Sequence, residues 1–155
     1  MNYINISYPD LNNGVGCRVT LWLSGCSHRC KGCHNPESWD YYFGHIYDSK
    51  TKKKVLDICK LPYIQGLTLS GGEPLQYTNV PELTKLCKEV HNLNKDVWCY
   101  TGYYYNELPK FLKEFVDNNI DILVDGPFEI DKLDTTSNNP FKGSTNQNIL
   151  HIANK

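Results

Sequence analysis

Four short apolar runs, each broken by glycine at its C-terminal end, restrict the architecture open to this chain. Arg18-Val19-Thr20-Leu21-Trp22-Leu23-Ser24 stops at Gly25, and Leu67-Thr68-Leu69-Ser70 stops at Gly71-Gly72. Val97-Trp98-Cys99-Tyr100 runs into Thr101-Gly102, and Ile120-Asp121-Ile122-Leu123-Val124 into Asp125-Gly126-Pro127. Runs of this length, rich in β-branched and aromatic residues and bounded by glycine, read as strands. The segments between them have helical spacing. Over 80–90, Leu83, Leu86, Cys87 and Val90 recur at i, i+3, i+4 and i+7, with Asn79 placed to cap and Pro81 suited to a first turn. Leu108, Phe111, Leu112, Phe115 and Val116 repeat the pattern, and Asn118-Asn119 closes it. A weaker helix over 53–61 turns Val55, Leu56 and Cys59 inward. Strands alternating with helices imply parallel β-α units.

At 155 residues the chain is one domain long, taken here as 1–155. Closing a full barrel from eight such units takes about 250 residues. The expected fold is therefore α/β: an incomplete, partial β/α barrel with a curved, mostly parallel sheet and an open side. Working loops in such architectures gather at the C-terminal ends of the strands. The loop after Gly25, Gly71-Gly72, Thr101-Gly102 and Asp125-Gly126 should then face one cavity. The polar, turn-rich stretch 129–148 reads as an irregular loop over its mouth, and 149–152 as a returning last strand.

The first strand feeds a CxxxCxxC run, Cys26-Ser27-His28-Arg29-Cys30-Lys31-Gly32-Cys33. Structural zinc is normally held by four ligands in two separated pairs. Here there is one triplet, although His28 or His34 could complete a zinc site. Electron-carrying clusters use four cysteines at other spacings. Three thiolates on a four-iron cubane leave one iron open, and an open coordination position marks a site that does chemistry. Of the remaining cysteines, Cys59 and Cys87 fall on apolar helix stripes and Cys99 in a strand, so they read as buried thiols. Cys17 suits a small core residue at a strand edge. Seven cysteines, an odd number, together with no leader-like N-terminus and no membrane-length apolar run, point to the cytoplasm, where thiols stay free for metal. A net charge of −1 argues against a large nucleic-acid footprint. The basic run 50–54 reads as a solvated helix start.

Cys26, Cys30 and Cys33, followed after one β-α unit by Gly71-Gly72-Glu73-Pro74, resemble the signature of radical S-adenosylmethionine enzymes. The resemblance implies a [4Fe-4S] cluster on the three cysteines. Its open iron would be chelated by the amino and carboxylate groups of S-adenosylmethionine, with Gly71, Gly72, Glu73 and Pro74 against the methionine amino end. Paired glycines allow backbone to approach a ligand closely; Glu73 could instead be a helix-start carboxylate. Gly32 departs from the aromatic residue common before the third cysteine, which leaves the backbone of Cys33 and His34 as the expected adenine neighbours. Thr101 and Gly102 are candidate ribose contacts. Arg29 and Lys31 flank the ligands, either tuning cluster charge or simply solvated. The resemblance requires no side chain as general acid or base: the protein supplies orientation and water exclusion.

Asn13-Gly14-Val15-Gly16-Cys17-Arg18 and Cys33-His34-Asn35-Pro36-Glu37-Ser38-Trp39-Asp40 are similar to the opening of glycyl-radical-enzyme activases. Asp125-Gly126-Pro127-Phe128 and Gly143-Ser144-Thr145-Asn146-Gln147 are similar to the branch acting on anaerobic ribonucleoside-triphosphate reductases, and the likeness covers 8–150. It implies a protein substrate, a glycine Cα–H in the large catalytic subunit of such a reductase, and a flavodoxin-type electron donor. Pyruvate formate-lyase or a small molecule is the alternative substrate, and a zinc-stabilised binding module the alternative class. Trp39, Tyr41, Tyr42 and Phe43 are expected to pack over the cysteine loop, and His34 and Asn35 to order it by hydrogen bonds. Tyr103-Tyr104-Tyr105 reads as a packing surface or partner contact.

Overall fold

The computed structural model describes residues 1–136 and 140–152; Ser137, Asn138 and Asn139 of the expected mouth loop lie outside the described residues. In chain order the elements are β1 (Asn2–Asp10), β2 (Arg18–Leu23), β3 (His45–Ile46), α1 (Ser49–Cys59), β4 (Gly66–Gly71), α2 (Val80–Asn92), β5 (Asp96–Tyr100), α3 (Lys110–Asn119), β6 (Ile122–Asp125) and β7 (Asn148–His151). They form one seven-stranded sheet in the order β3-β1-β2-β4-β5-β6-β7. The four middle strands β2, β4, β5 and β6 are parallel, as the alternating pattern requires. β1 and β3 on one flank and β7 on the other run antiparallel. The sheet is mixed α/β and does not close, because β3 and β7 are its two separate edges.

Strand side chains alternate between faces, and here the two faces differ in chemistry. Val19, Leu21, Leu23, Leu67, Leu69, Val97, Cys99 and Leu123 pack with Val55, Leu83, Leu86, Leu112 and Val116 of the helices into one continuous apolar core. The opposite face carries Arg18, Thr20, Trp22, Thr68, Ser70, Trp98 and Tyr100. It is covered by irregular chain instead: Gly14 lies against Trp98, and the Phe141 ring meets Trp98 edge-on at 5.4 Å.

Element boundaries moved where local chemistry overrode apolar spacing. α1 starts at Ser49 because the Asp48 carboxylate accepts from the Thr51 N–H at 2.8 Å and caps the helix. The basic run is therefore its first turns, as expected. α3 starts at Lys110, not Leu108, because Pro109 holds the preceding residue extended. Glu73 lies well ahead of α2, which removes the helix-start reading of its carboxylate. β1 and β3 are additions to the expected strands; β1 gains its hydrogen bonds from β2 without an alternating apolar pattern of its own.

Candidate active site

The cysteine loop leaves the C-terminal end of β2 and is held from beneath by backbone. Gly25 N–H donates to Ser38 O at 2.8 Å, and Glu73 N–H donates to Gly25 O at 2.9 Å. The end of β4 lies so close that a Cβ on Gly72 would stand 2.6 Å from Gly25 O, and one on Gly71 2.5 Å from the Leu23 backbone. The glycine pair therefore lets one strand end abut the loop of the next, a requirement of packing that precedes any ligand. Within the loop, Cys33 N–H donates to Cys30 O at 3.1 Å and Asn35 N–H donates to Cys33 Sγ at 3.4 Å. Asn35 thus orders the loop as expected. Tyr41 packs against Gly25 and the Arg29 guanidinium sits 5.7 Å from the Trp39 ring, so Trp39 and Tyr41 lie against the loop as expected, whereas Tyr42 and Phe43 are exposed.

A cavity of about 440 Å³ opens at these strand ends, within the range of small-molecule sites. Cys26, Cys30, Cys33, His34, Gly71, Gly72, Glu73, Thr101 and Gly102 all line it. Gly32 and Pro74 do not. A Cβ at Gly32 would lie 2.4 Å from Ile130 Cδ1, so that side chain occupies the place an aromatic residue would need. Of the turn-rich stretch expected over the mouth, the described residues Phe141, Lys142, Gly143 and Gln147 line the cavity, joined by Phe128 just ahead of it. His34 packs on Phe128 with ring centres 5.0 Å apart.

Thr101 and Gly102 reach the cavity with their donors already engaged. Thr101 Oγ1 donates to Glu73 Oε1 at 2.8 Å and Gly102 N–H to Glu73 Oε2 at 2.8 Å. Tyr103, Tyr104 and Tyr105 are half-buried packing residues; Tyr105 O–H donates to Asp117 Oδ1 at 2.6 Å and the Tyr104 phenolic Oη accepts from Asn146 Nδ2 at 3.2 Å. Sequence reasoning missed the part His28 plays here: its Nε2 lies 2.7 Å from Glu73 Oε2. It also missed Trp22, Ser70 and Tyr100 as cavity walls. Their signal was present in the strand alternation, since each is the polar or aromatic partner of an apolar neighbour.

The donor set suits a multi-iron cluster. Cys26, Cys30 and Cys33 are free thiols on one cavity wall. Burial pushes the Cys26 thiol up, with the Glu73 carboxylate adding to it and the His28 and Arg29 N–H groups opposing, so cluster binding would release its proton. No fourth cysteine joins them at the cavity: Cys59, Cys87 and Cys99 are buried in the core on the helical side, and Cys17 packs half-buried against that core. Burial raises Cys59 to about 11 and Cys99 well above the usual thiol range, which disqualifies both as thiolates. Among the described residues no three His, Cys, Asp or Glu side chains converge to hold a single ion. Three free thiols from one loop, on one wall and without a fourth, suit a cubane with one iron left open.

An open α/β sheet with three free cysteines at a strand end defines an iron-sulfur protein, and the family described as "4Fe-4S single cluster domain" matches residues 12–150. The chain is 41% identical to the anaerobic ribonucleoside-triphosphate reductase-activating protein of Pasteurella multocida, covering 98% of each. It is 36% identical to the protein of that name from Escherichia coli, over 98% of this chain and 99% of that one. The counterpart from Enterobacteria phage T4 is 35% identical, over 96% and 93%. The chain belongs to the family of anaerobic ribonucleoside-triphosphate reductase-activating proteins. Among the described residues no helix is long and apolar enough to cross a membrane.

Proposed function

We propose that this chain is a single radical S-adenosylmethionine domain over 1–155, of partial-barrel type, that installs a glycyl radical on the large subunit of an anaerobic ribonucleoside-triphosphate reductase. The observation that carries the reading is the three-cysteine wall of the 440 Å³ cavity, faced by Gly71 and Gly72 and lacking a fourth thiolate. Cys26, Cys30 and Cys33 would hold a [4Fe-4S] cluster. When bound there and reduced by a flavodoxin-type donor, such a cluster would supply the one electron needed to cleave S-adenosylmethionine to methionine and a 5′-deoxyadenosyl radical, the species that would take the glycine Cα hydrogen. The chain's own residues orient and shield. Gly71 and Gly72, with Glu73 and Pro74 behind them, form the wall for the methionine end, and Cys33 and His34 with the neighbouring Gly32 form the adenine side. Thr101 and Gly102 shape the cavity through Glu73. Phe128 and Phe141 keep water from the mouth. A reducing cytoplasm would keep the cysteines available.

Anaerobic reconstitution tests the reading. About four irons and four sulfides per chain are expected, with brown absorbance lost in Cys26→Ala. Reduced protein should cleave S-adenosylmethionine and raise a glycyl signal by electron paramagnetic resonance on the apo-reductase but not on pyruvate formate-lyase. Uptake of zinc alone, with S-adenosylmethionine left intact, would refute it.

A further inference from the structure

We propose that His28 is a positioning residue that locks the middle of the cysteine loop to the cofactor end of the sheet through Glu73. The inference rests on the reading above for its functional consequence and on geometry for the lock itself. Cys26 and Cys30 are separated by Ser27, His28 and Arg29; Ser27 is exposed, Arg29 adopts a left-handed φ of 50°, and His28 turns inward with 18% of its side chain exposed. The imidazole meets a carboxylate that solvent does not reach.

Glu73 is saturated. Oε1 accepts from Leu75 N–H at 2.9 Å and Thr101 Oγ1 at 2.8 Å; Oε2 accepts from Gly102 N–H at 2.8 Å and faces His28 Nε2 at 2.7 Å. A carboxylate offers about four acceptor sites, so all are engaged and His28 must present Nε2–H. Leu75 belongs to the turn after β4, and Thr101 and Gly102 to the end of β5. Of the four donors only His28 comes from the cysteine loop. The backbone bond from Glu73 to Gly25 fixes where that loop starts. His28 fixes its middle, between two of the three cysteines.

The ring is held on two further sides. Tyr103 meets it edge-on at 4.4 Å, and a Cβ on Gly102 would stand 2.6 Å from His28 Cδ2. Gly102 is therefore glycine because His28 lies against it. Removing His28 would leave Glu73 Oε2 one donor short in a buried site and free the loop to drift from Gly71 and Gly72. A buried acceptor left one donor short typically shifts an equilibrium by about five- to a hundredfold.

The test compares wild type, His28→Ala and His28→Gln, the last restoring an N–H donor on a flexible stem. All three keep Cys26, Cys30 and Cys33 and should take up equal iron. His28→Ala should bind S-adenosylmethionine at least roughly fivefold more weakly and lose the change that the cofactor makes in the paramagnetic resonance spectrum of the reduced cluster; His28→Gln should recover part of both. Should His28→Ala not fold, His28→Met, of similar volume and without a donor, replaces it. Independently, in protein without cluster, Gly102→Ala should lower thermal stability in the His28 background and be tolerated in His28→Ala. Wild-type cofactor affinity and spectrum in the donor-less variant would overturn the proposal while leaving the radical reading intact. A loss that glutamine does not restore would also overturn it, in favour of direct contact or bulk packing. Failure of wild type itself to bind S-adenosylmethionine would refute the functional reading and this consequence with it.

Discussion

At the foot of β2, away from the cysteine loop, Arg18 is fully buried. Its Nε donates to Thr68 Oγ1 at 2.7 Å, and its terminal nitrogens to Val15 O at 3.1 Å, Leu67 O at 2.8 Å and Asp96 at 2.5 Å, while the guanidinium lies 5.4 Å from the Trp98 ring centre. One side chain thereby ties three strand starts together on the non-helical face. Arg18→Met should lower unfolding free energy by about 3 kcal/mol, since it strands buried acceptors and a half-compensated carboxylate. Lysine should not rescue it, because a point charge cannot serve four acceptors set in a fork. Equilibrium urea unfolding checks both, and a loss within error of wild type would count against the tie. Arg18 was illegible in sequence because a charge at a strand start reads as solvated. Apart from Val15, its partners lie 49 to 78 positions away. The His28–Glu73 pair, 45 apart, was hidden for the same reason. The cysteine triplet was legible because all its information is local.

Among elements, β1 shows where pattern reading stops. Asn2–Asp10 alternates poorly and is only half-buried, so nothing within it demands a strand; the demand comes from the open edge of β2. Its last residue, Asp10, then organises the loop into β2. Asp10 Oδ1 accepts from Asn12 N–H at 2.9 Å, and Oδ2 accepts from Thr20 Oγ1 at 2.7 Å, Asn13 Nδ2 at 2.8 Å and Ser7 Oγ at 3.2 Å. Burial alone would raise this carboxyl, but the four donors outweigh it and hold it below its ordinary 3.8. The native state therefore binds the proton less readily than the unfolded chain. The stabilisation is present above the ordinary carboxylate value and is lost as pH falls through the lowered one. Asp10→Asn places a donor against donors and should cost about 1–2 kcal/mol near neutrality. The variant should also lose less additional stability than wild type between about pH 5 and about pH 3. Parallel acid titrations of the two proteins, followed by circular dichroism, would contradict this if their curves ran with the same slope.

At the scale of the whole molecule, the strand-glycine-helix grammar foretold the parallel middle of the sheet, because each glycine break and helical period is written into contiguous residues. The antiparallel flanks escaped it because edge pairing is settled by neighbours. The division of labour between the two faces of the sheet follows from the strand alternation. Helices and apolar core occupy one face, with Leu21, Leu69, Leu86 and Val116 sealed from solvent, while the cysteine loop stands at a rim and contributes only Cys26 to the buried set. The cysteine loop and the fold's support are thus spatially separate, unlike a zinc finger, where metal binding is the folding energy. Stripping the cluster with a chelator under anaerobic reducing conditions should leave the far-ultraviolet circular dichroism and a cooperative thermal transition in place. The transition should move down because a ligand that binds only the native state has been withdrawn. Hydrogen exchange should rise in 26–35 and in the covering segment 126–136, and stay slow in β2, β4, β5 and α2, whose amides are locked behind the apolar core. Collapse of the whole spectrum on chelation would mean that the cysteine loop, and not the helix-covered face, carries the fold.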